Sequence, residues 1–154
     1  MDVQIKELPA VRVAYLRYKG PFGPALGEFW SEVFAPWQKA FRLQGRVSYG
    51  VAQDDPATTP ANECRYDACV EVDADYKIVD PAREAMLAGG RYAVAQFHGA
   101  ADKIPAAWDE LYSQWLPASG LKMDARPCLE RYAADFAVDP ATGEFSCELC
   151  IPVA

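Results

Sequence analysis

The feature of this sequence that most constrains its fold is an internal repeat. Residues 5–20, IKELPAVRVAYLRYKG, resemble residues 84–99, EAMLAGGRYAVAQFHG, with a leucine, an arginine, an alanine and a glycine in matching places. Two stripes share the spacing i, i+3, i+4, i+7: Trp30, Val33, Phe34, Trp37 and Trp108, Leu111, Tyr112, Trp115. This spacing is typical of an amphipathic helix packed on a core. The repeat therefore predicts two copies of one supersecondary unit.

The first copy is predicted to fold as strand, helix, strand, strand. VRVAYLRY is a strand, and RVSYGVAQ with RYDACVEV forms a hairpin. Between them, residues 24–43 form a helix that begins at Pro24 and ends near Gly45. Pro36 has no amide hydrogen, so we expect it to kink or interrupt this helix near residue 35.

The second copy repeats this order. GRYAVAQF is a strand, and ERYAAD and FSCELCIPV form a hairpin. Residues 102–118 are predicted to be a helix with Asp102 as a candidate N-cap, Pro105 in its first turn and Gly120 just beyond its end. Residues 73–83 are predicted to link the two halves.

Length and composition indicate a single domain over residues 1–154, with halves at about 1–76 and 77–154. A chain of 154 residues that is 51% hydrophobic can fill one core but hardly two. The expected fold class is α+β, in which two duplicated βαββ units are related by a pseudo-twofold, with antiparallel strands and two main helices. One unit alone could not bury its apolar faces.

The charge balance disfavours nucleic acid as a direct ligand. The chain has 15 basic and 22 acidic residues, a net charge of −7, and no basic run that could neutralise phosphates. This balance mildly favours cationic or neutral partners. The first residues carry no basic segment that leads into an apolar one, and no apolar run is long enough to span a membrane. We therefore expect a soluble, cytoplasmic protein without membrane association.

Cysteine and histidine usage argues against a metal site, and no cofactor is predicted. Cys147 and Cys150 form a CxxC, but residues three apart on a strand point to opposite faces, so we expect ordinary half-buried thiols. His98 is the only histidine and is expected to be an unremarkable side chain at a strand end. No dinucleotide, phosphate-loop or nucleophile-elbow motif is present.

Glu130 stands inside a predicted strand, and an offset of 81 residues makes it pseudo-equivalent to Tyr49. If the twofold passes between the halves, Glu130, Tyr49 and the aromatic stripes would meet in one cleft. A carboxylate among aromatic rings suits flat, lipophilic or cationic molecules, and its pKa should be raised by desolvation. Three alternatives stay open: Glu130 faces solvent, the stripes are core, and Asp67 with Glu148 forms either a second acidic pair or salt bridges.

These motifs resemble the GyrI-like effector-binding domain family over nearly the whole chain. The resemblance rests on PCLERY followed by CELCIPV, on GGRYAV and WLPASG before them, and on YGVAQDDP and RYDACVEV in the first half. It implies a duplicated βαββ fold with a small-molecule groove along the pseudo-twofold. The family includes the ligand-sensing domains of AraC-type and MerR-type regulators, a gyrase-modulating protein, and hydrolases of cyclopropane-bearing DNA-alkylating compounds.

The resemblance also implies site residues. Glu130, in the strand motif PCLERY, takes the place of the ligand-contacting acid of the family. Tyr49, in Ser-Tyr-Gly, matches a pocket tyrosine of multidrug-sensing members. Phe145 opens the last strand, where those members have an aromatic residue with a hydroxyl group, and it lacks that group.

The main hypothesis is a stand-alone small-molecule-binding protein. In the regulators a helix-turn-helix domain precedes this domain, whereas the first predicted strand here follows Met1 within a few residues, so we expect the chain to act without such a domain. In this hypothesis Glu130 pairs with ligand charge, and aromatic side chains stack on the ligand: Tyr49, Trp30, Trp108, Tyr112 and Phe145.

Two alternatives come from other classes of protein. One is an interaction protein whose acidic surface engages gyrase. The other is a hydrolase of strained electrophiles, in which Glu130 either activates water or protonates the leaving position, and Tyr49 donates a hydrogen bond to the developing oxyanion.

Overall fold

A computed structural model describes all of residues 1–154 and has eight strands in one antiparallel sheet. The sheet order is β1-β6-β8-β7-β3-β4-β2-β5. The strands are β1 (Val3–Leu8), β2 (Val11–Lys19), β3 (Ser48–Ala52), β4 (Arg65–Glu71), β5 (Arg83–Leu87), β6 (Gly90–Ala100), β7 (Leu129–Tyr132) and β8 (Glu144–Pro152). The central pair is β3 with β7, which joins the two halves of the chain.

The predicted α+β class is confirmed, with two strands more than the sequence indicated. Residues 3–8 form β1 before the predicted first strand, and residues 83–87, at the end of the predicted linker, form β5. Each of these strands turns sharply into the next one, at Pro9–Ala10 and at Ala88–Gly89. β1 pairs with β6, and β5 pairs with β2, so each lies on the other half's long strand. The duplication and its pseudo-twofold stay predictions.

Two helices pack on one face of the sheet, and both contain a widened π-helical turn. We call α1 the continuous helix of residues 24–40, made of Pro24–Glu28, Phe29–Phe34 (π) and Ala35–Ala40. We call α2 the helix of residues 104–119, made of Ile104–Glu110, Leu111–Trp115 (π) and Leu116–Ser119.

Each π turn ends two residues before a proline. The amide of Ala35 donates to the carbonyl of Trp30, and that of Leu116 donates to the carbonyl of Leu111, which are i to i−5 bonds. The residues that follow are Pro36 and Pro117, which have no amide hydrogen to donate. The predicted interruption near residue 35 is therefore a change of hydrogen-bond pattern in a continuous helix and not a break.

Two predicted helix boundaries were wrong. α1 ends at Ala40, before Gly45, because the chain turns at Arg42, which has a left-handed φ of 58°. Asp102 does not cap α2, since it lies in a 3₁₀ turn, Ala101–Lys103, and makes no capping hydrogen bond. The predicted end of α2 is confirmed, because Gly120 follows it with φ 75°, a conformation that glycine adopts without strain.

The sheet is buried on both faces. Under α1 lies a cluster that contains Leu16, Phe34 and Val70, and under α2 lies a cluster that contains Phe97, Leu111 and Leu149. On the opposite face, which we call the concave face, the curled sheet closes on strand residues alone: Val13, Tyr49, Val51, Cys69, Tyr92, Val94, Leu129 and Cys150. Neither helix is long and apolar enough to cross a membrane.

Candidate functional site

Glu130 lies on β7 and points to the helix face of the sheet, where three aromatic side chains hold its carboxylate. Oε1 accepts hydrogen bonds from the hydroxyls of Tyr66, at 2.6 Å, and Tyr132, at 3.1 Å. Oε2 accepts one from the indole Nε1 of Trp108 on α2, at 3.2 Å. Residues from β4, β7 and α2 therefore meet at one half-buried carboxylate.

Gly50 makes room for this arrangement. It pairs directly with Glu130 across the β3–β7 ladder, so both residues are on the same face. A Cβ atom at Gly50 would lie 1.7 Å from the Tyr66 hydroxyl and 2.6 Å from Glu130 Oε1. The Tyr66 phenol thus occupies the space that any other residue at position 50 would fill.

Trp30 of α1 closes the site from the other helix. Its ring centroid lies 6.1 Å from that of Tyr66 and 5.6 Å from that of Tyr132, both in edge-to-face geometry. Its side chain also packs against the core clusters under both helices. The indoles of Trp30 and Trp108 therefore reach the same carboxylate environment from the two helices.

The electrostatics of the site are those of a half-buried acid with neutral partners. Burial raises the pKa of Glu130 above its ordinary value of 4.5, while the hydrogen bonds from Tyr66, Trp108 and Tyr132 partly offset this shift. Burial and the nearby carboxylate raise the pKa values of Tyr66 and Tyr132 well above 10.0, so both phenols remain protonated donors. No lysine, arginine or histidine forms an ion pair with Glu130, although eight such pairs occur elsewhere.

The other predicted aromatic residues, Tyr112 and Phe145, pack on the side chains that bind the carboxylate. The Tyr112 ring stacks on Trp108 with centroids 5.7 Å apart, and its hydroxyl lies 2.8 Å from Cys128 Sγ. It is partly exposed, at the outer edge of the site. Phe145 is buried, and its ring centroid lies 6.2 Å from that of Tyr132.

The structure does not bring Tyr49 to Glu130. In the β3–β7 ladder Tyr49 pairs with Arg131, and Gly50 pairs with Glu130, so Tyr49 points to the concave face. The sequence offset of 81 made Tyr49 and Glu130 equivalent, which required both side chains to point to the same face. In the structure they point to opposite faces, so the offset is wrong by one residue at this strand, since a shift of one residue moves a strand side chain to the opposite face. The proposed catalytic pair of Glu130 and Tyr49 is therefore not formed.

Sequence reasoning missed the two phenols that bind Glu130 most directly. Tyr132 follows Glu130 by two residues on one strand, so alternation alone would have placed it on the same face. Tyr66 could be found only from the β3–β4 register, which pairs it with Ala52 and so sets it on the face of Gly50.

The remaining candidate residues have structural partners. Asp67 and Glu148 are not an acidic pair at the Glu130 site: Asp67 binds Arg17 at 2.7 Å, and Glu148 binds Arg131 at 3.1 Å. Cys147 packs in the cluster under α2 and Cys150 on the concave face, which agrees with opposite orientations, and both are buried and not half-buried. His98 is exposed, with Nδ1 2.9 Å from the hydroxyl of Ser146.

Comparison with known proteins gives a family match over the full length. The family model of the GyrI-like small molecule binding domain matches residues 1–154. The chain is 32% identical to the SPbeta prophage-derived protein YosT of Bacillus subtilis, which is named as a transcriptional regulator, over 99% of both chains. It is 33% identical to a protein of Edwardsiella piscicida named DNA gyrase inhibitor, over 99% of this chain and 98% of that one.

Solved structures have the same fold at low sequence identity. The C-terminal domain of EcmrR matches with a TM-score of 0.76 and 14% identity, over 99% of this chain and 97% of that one. SAV2435, solved with bound tetraphenylphosphonium, matches with a TM-score of 0.60 and 15% identity, over 100% of this chain and 94% of that one.

Proposed function

Because the chain belongs to the GyrI-like small-molecule binding domain family, we propose that it binds lipophilic, aromatic cations at Glu130. The observation that carries this proposal is a half-buried carboxylate without a cationic partner among aromatic rings. A buried charge is costly unless it is paired, so a ligand cation would gain the interaction that the protein itself leaves open.

The aromatic side chains suit such a ligand. Trp30 and Trp108 offer indole rings, which attract cations more strongly than other aromatic side chains, and each cation–π contact contributes roughly 0.5–2 kcal/mol. The Glu130 carboxylate accepts about four hydrogen bonds when ionised, and three are occupied. Tetraphenylphosphonium is a suitable first probe, because a protein of the same fold, SAV2435, was solved with it.

The test is calorimetric titration of tetraphenylphosphonium, with tryptophan fluorescence as the second readout. We expect saturable binding that weakens about tenfold or more in Glu130→Gln, because a charge-assisted contact contributes roughly 1.5–3 kcal/mol. Glu32→Gln, on the exposed surface of α1, is the matched control and should bind as the natural protein does. Triphenylphosphine oxide, an uncharged aromatic analogue, should bind with the same affinity to the natural protein and to Glu130→Gln.

Absence of saturable binding would refute the proposed ligand class. Binding that is equal in Glu130→Gln and in the natural protein would remove Glu130 from the site. A loss of affinity for triphenylphosphine oxide in Glu130→Gln as large as that for the cation would show that the substitution disturbs the pocket and not the charge pairing.

A second candidate function is modulation of DNA gyrase. It is favoured by the relative named DNA gyrase inhibitor, at 33% identity, and by a net charge of −7, with which an acidic surface could occupy a site where DNA lies. A gyrase supercoiling assay with the protein in molar excess tests it. Unchanged supercoiling across the titration would exclude this function.

A further inference from the structure

The concave face of the sheet holds a second cavity system, on the side away from Glu130. Two adjoining cavities of about 340 Å³ and 140 Å³ share the lining residues Leu87, Ala88, Tyr92 and Leu129. The larger one is within the usual size of small-molecule pockets. Its apolar wall also includes Leu8, Pro9 and Val11, and Tyr49 lines it.

The cavity is closed at one end by the two turns that the sequence did not predict. The β1–β2 turn and the β5–β6 turn pass so close that a Cβ atom on Gly89 would lie 2.6 Å from the Ala10 nitrogen and 2.9 Å from the Leu8 carbonyl oxygen. Both turns contribute lining residues, Pro9 from one and Ala88 from the other. The crossing thus turns an open sheet surface into a pocket.

One side of the pocket has cationic groups with unused donors. Glu148 accepts hydrogen bonds from Arg131 at 3.1 Å and Gln96 at 2.9 Å, and its carboxylate lies 3.7 Å from Lys6 Nζ. That carboxylate is satisfied, whereas Arg131 has five N–H donors and uses one of them there. Burial raises the pKa of the Tyr49 phenol, the Glu71 carboxylate raises it further, and the Arg131 side chain beside the phenol partly offsets this shift.

The other side of the pocket has a free acid. The Glu71 side chain lines the cavity and makes no hydrogen bond or ion pair. It lies across β3 from Arg131, because Tyr49 pairs with Arg131 on one side and with Cys69, two residues before Glu71, on the other. Two strand spacings and a two-residue diagonal separate the two backbones by roughly 10–12 Å.

We propose that this pocket is a second binding site, for a dipeptide-sized zwitterion with apolar side chains. Its carboxylate binds Arg131 and the Tyr49 hydroxyl, and its ammonium group binds Glu71. Its side chains contact the apolar wall at Leu8, Leu87 and Leu129. A dipeptide spans roughly 7 Å between its charges, and a hydrogen bond of about 3 Å at each end brings the span close to the roughly 10–12 Å between the backbones of Arg131 and Glu71.

The charges of the pocket favour a zwitterion over a singly charged ligand. The four charged side chains of the pocket, Lys6, Arg131, Glu71 and Glu148, sum to zero, so the pocket as a whole favours neither an anion nor a cation, and a singly charged ligand can use only one of its two ends. A zwitterion whose carboxylate lies at Arg131 and whose ammonium group lies at Glu71 makes a favourable electrostatic interaction at both ends. The site is independent of the proposed cation site, because Glu130 points to the other face.

The test compares L-leucyl-L-leucine with three capped forms by calorimetry. N-acetyl-leucyl-leucine retains only the carboxylate, leucyl-leucinamide retains only the ammonium group, and N-acetyl-leucyl-leucinamide has neither charge. We expect the zwitterion to bind at least about tenfold more tightly than each singly charged form, with the neutral form weakest. Equal binding of the neutral form and the zwitterion, or no binding of any form, would overturn the proposal.

Two variants test which protein group binds each end of the dipeptide. Glu71→Gln should reduce zwitterion affinity to that of the N-acetyl form, and Tyr49→Phe should weaken the forms that carry a carboxylate about fivefold or more without changing leucyl-leucinamide. These two substitutions leave the Arg131–Glu148 bond intact, and matching urea unfolding curves will establish that the variants are folded. Glu130→Gln is the control and should change none of these affinities. Loss of dipeptide binding in Glu130→Gln would refute a separate site.

Discussion

Replacing Gly50 by alanine should disrupt the candidate cation site through one methyl group. The new Cβ would lie 1.7 Å from the hydroxyl oxygen and 2.6 Å from Cζ of Tyr66, and 2.6 Å from Glu130 Oε1. Since real Cβ contacts are essentially never below 3.0 Å, the Tyr66 ring must leave its position. Its 2.6 Å hydrogen bond to Glu130 is then lost.

The cost has two parts. Loss of a partly buried hydrogen bond to a charged group costs roughly 1.5–3 kcal/mol, and forcing an extra methyl group into a packed site costs roughly 1–3 kcal/mol. Gly50→Ala should therefore lower the free energy of unfolding by about 3–5 kcal/mol. For a chain of 154 residues this corresponds to a fall in Tm of roughly 10 °C.

The assay is urea unfolding followed by tryptophan fluorescence, with Gly27→Ala as the matched control. Gly27 lies exposed in α1, and a Cβ atom there would meet no other atom within 4 Å, so alanine should be neutral or stabilising by roughly 0.5–1 kcal/mol. In a Tyr66→Ala background the Gly50→Ala cost should fall to about 1 kcal/mol or less, because the clashing ring is absent and Glu130 Oε1, at the end of a flexible side chain, can move into the space that the ring leaves. An equal cost of Gly50→Ala in both backgrounds would refute the steric reasoning.

Three further outcomes are expected. Folding raises the pKa of Glu130, so between pH 4.5 and the raised pKa the folded protein holds a proton that the unfolded chain has lost. The free energy of unfolding should therefore fall as the pH rises through this range. Urea titrations at several pH values measure this fall, and Glu130→Gln should flatten it. Trp108→Phe removes one donor to the carboxylate, so the pH midpoint for tetraphenylphosphonium binding should move upward, and an unchanged midpoint would contradict that role. Arg17→Met leaves the buried Asp67 carboxylate without its cation and should lower the free energy of unfolding in urea by about 3 kcal/mol. The double variant Arg17→Met with Asp67→Asn removes the uncompensated charge and should regain most of this stability.

The helices and the main strands could be predicted because their signals are local. The stripe from Trp30 to Trp37 and its counterpart from Trp108 to Trp115 have helical spacing, and the structure has a helix at each. β1 and β5 were missed because each is short and separated from the next strand by only two residues. Their pairing partners, β6 and β2, lie in the other half of the chain, and no local pattern specifies such a partner.

The candidate site could be predicted only in part, because its composition is local and its geometry is not. Glu130 was identified as an acid in a strand, and Trp30 and Trp108 were identified from the helical stripes. Their meeting depends on the β3–β7 register, which fixes the face of every residue in both strands. An offset read from aligned sequences has an uncertainty of one residue. That error is enough to predict Tyr49 as the residue beside Glu130, where the structure has Gly50.

The contrast between Glu130 and Asp67 supports the binding role that we propose for Glu130. Asp67, which is 4% exposed, accepts two hydrogen bonds from Arg17 and one from Gln53, so its charge is neutralised within the fold. Glu130 has an arginine next to it in sequence, but strand alternation sends Arg131 to the concave face, where it binds Glu148. The donors that remain for Glu130 are two phenols and one indole, which stabilise the carboxylate without cancelling its charge. The same alternation thus leaves a carboxylate without a cationic partner on the helix face and places a guanidinium with unused donors on the other face. The two binding sites that we propose therefore depend on two adjacent residues of one short strand, on opposite sides of the sheet.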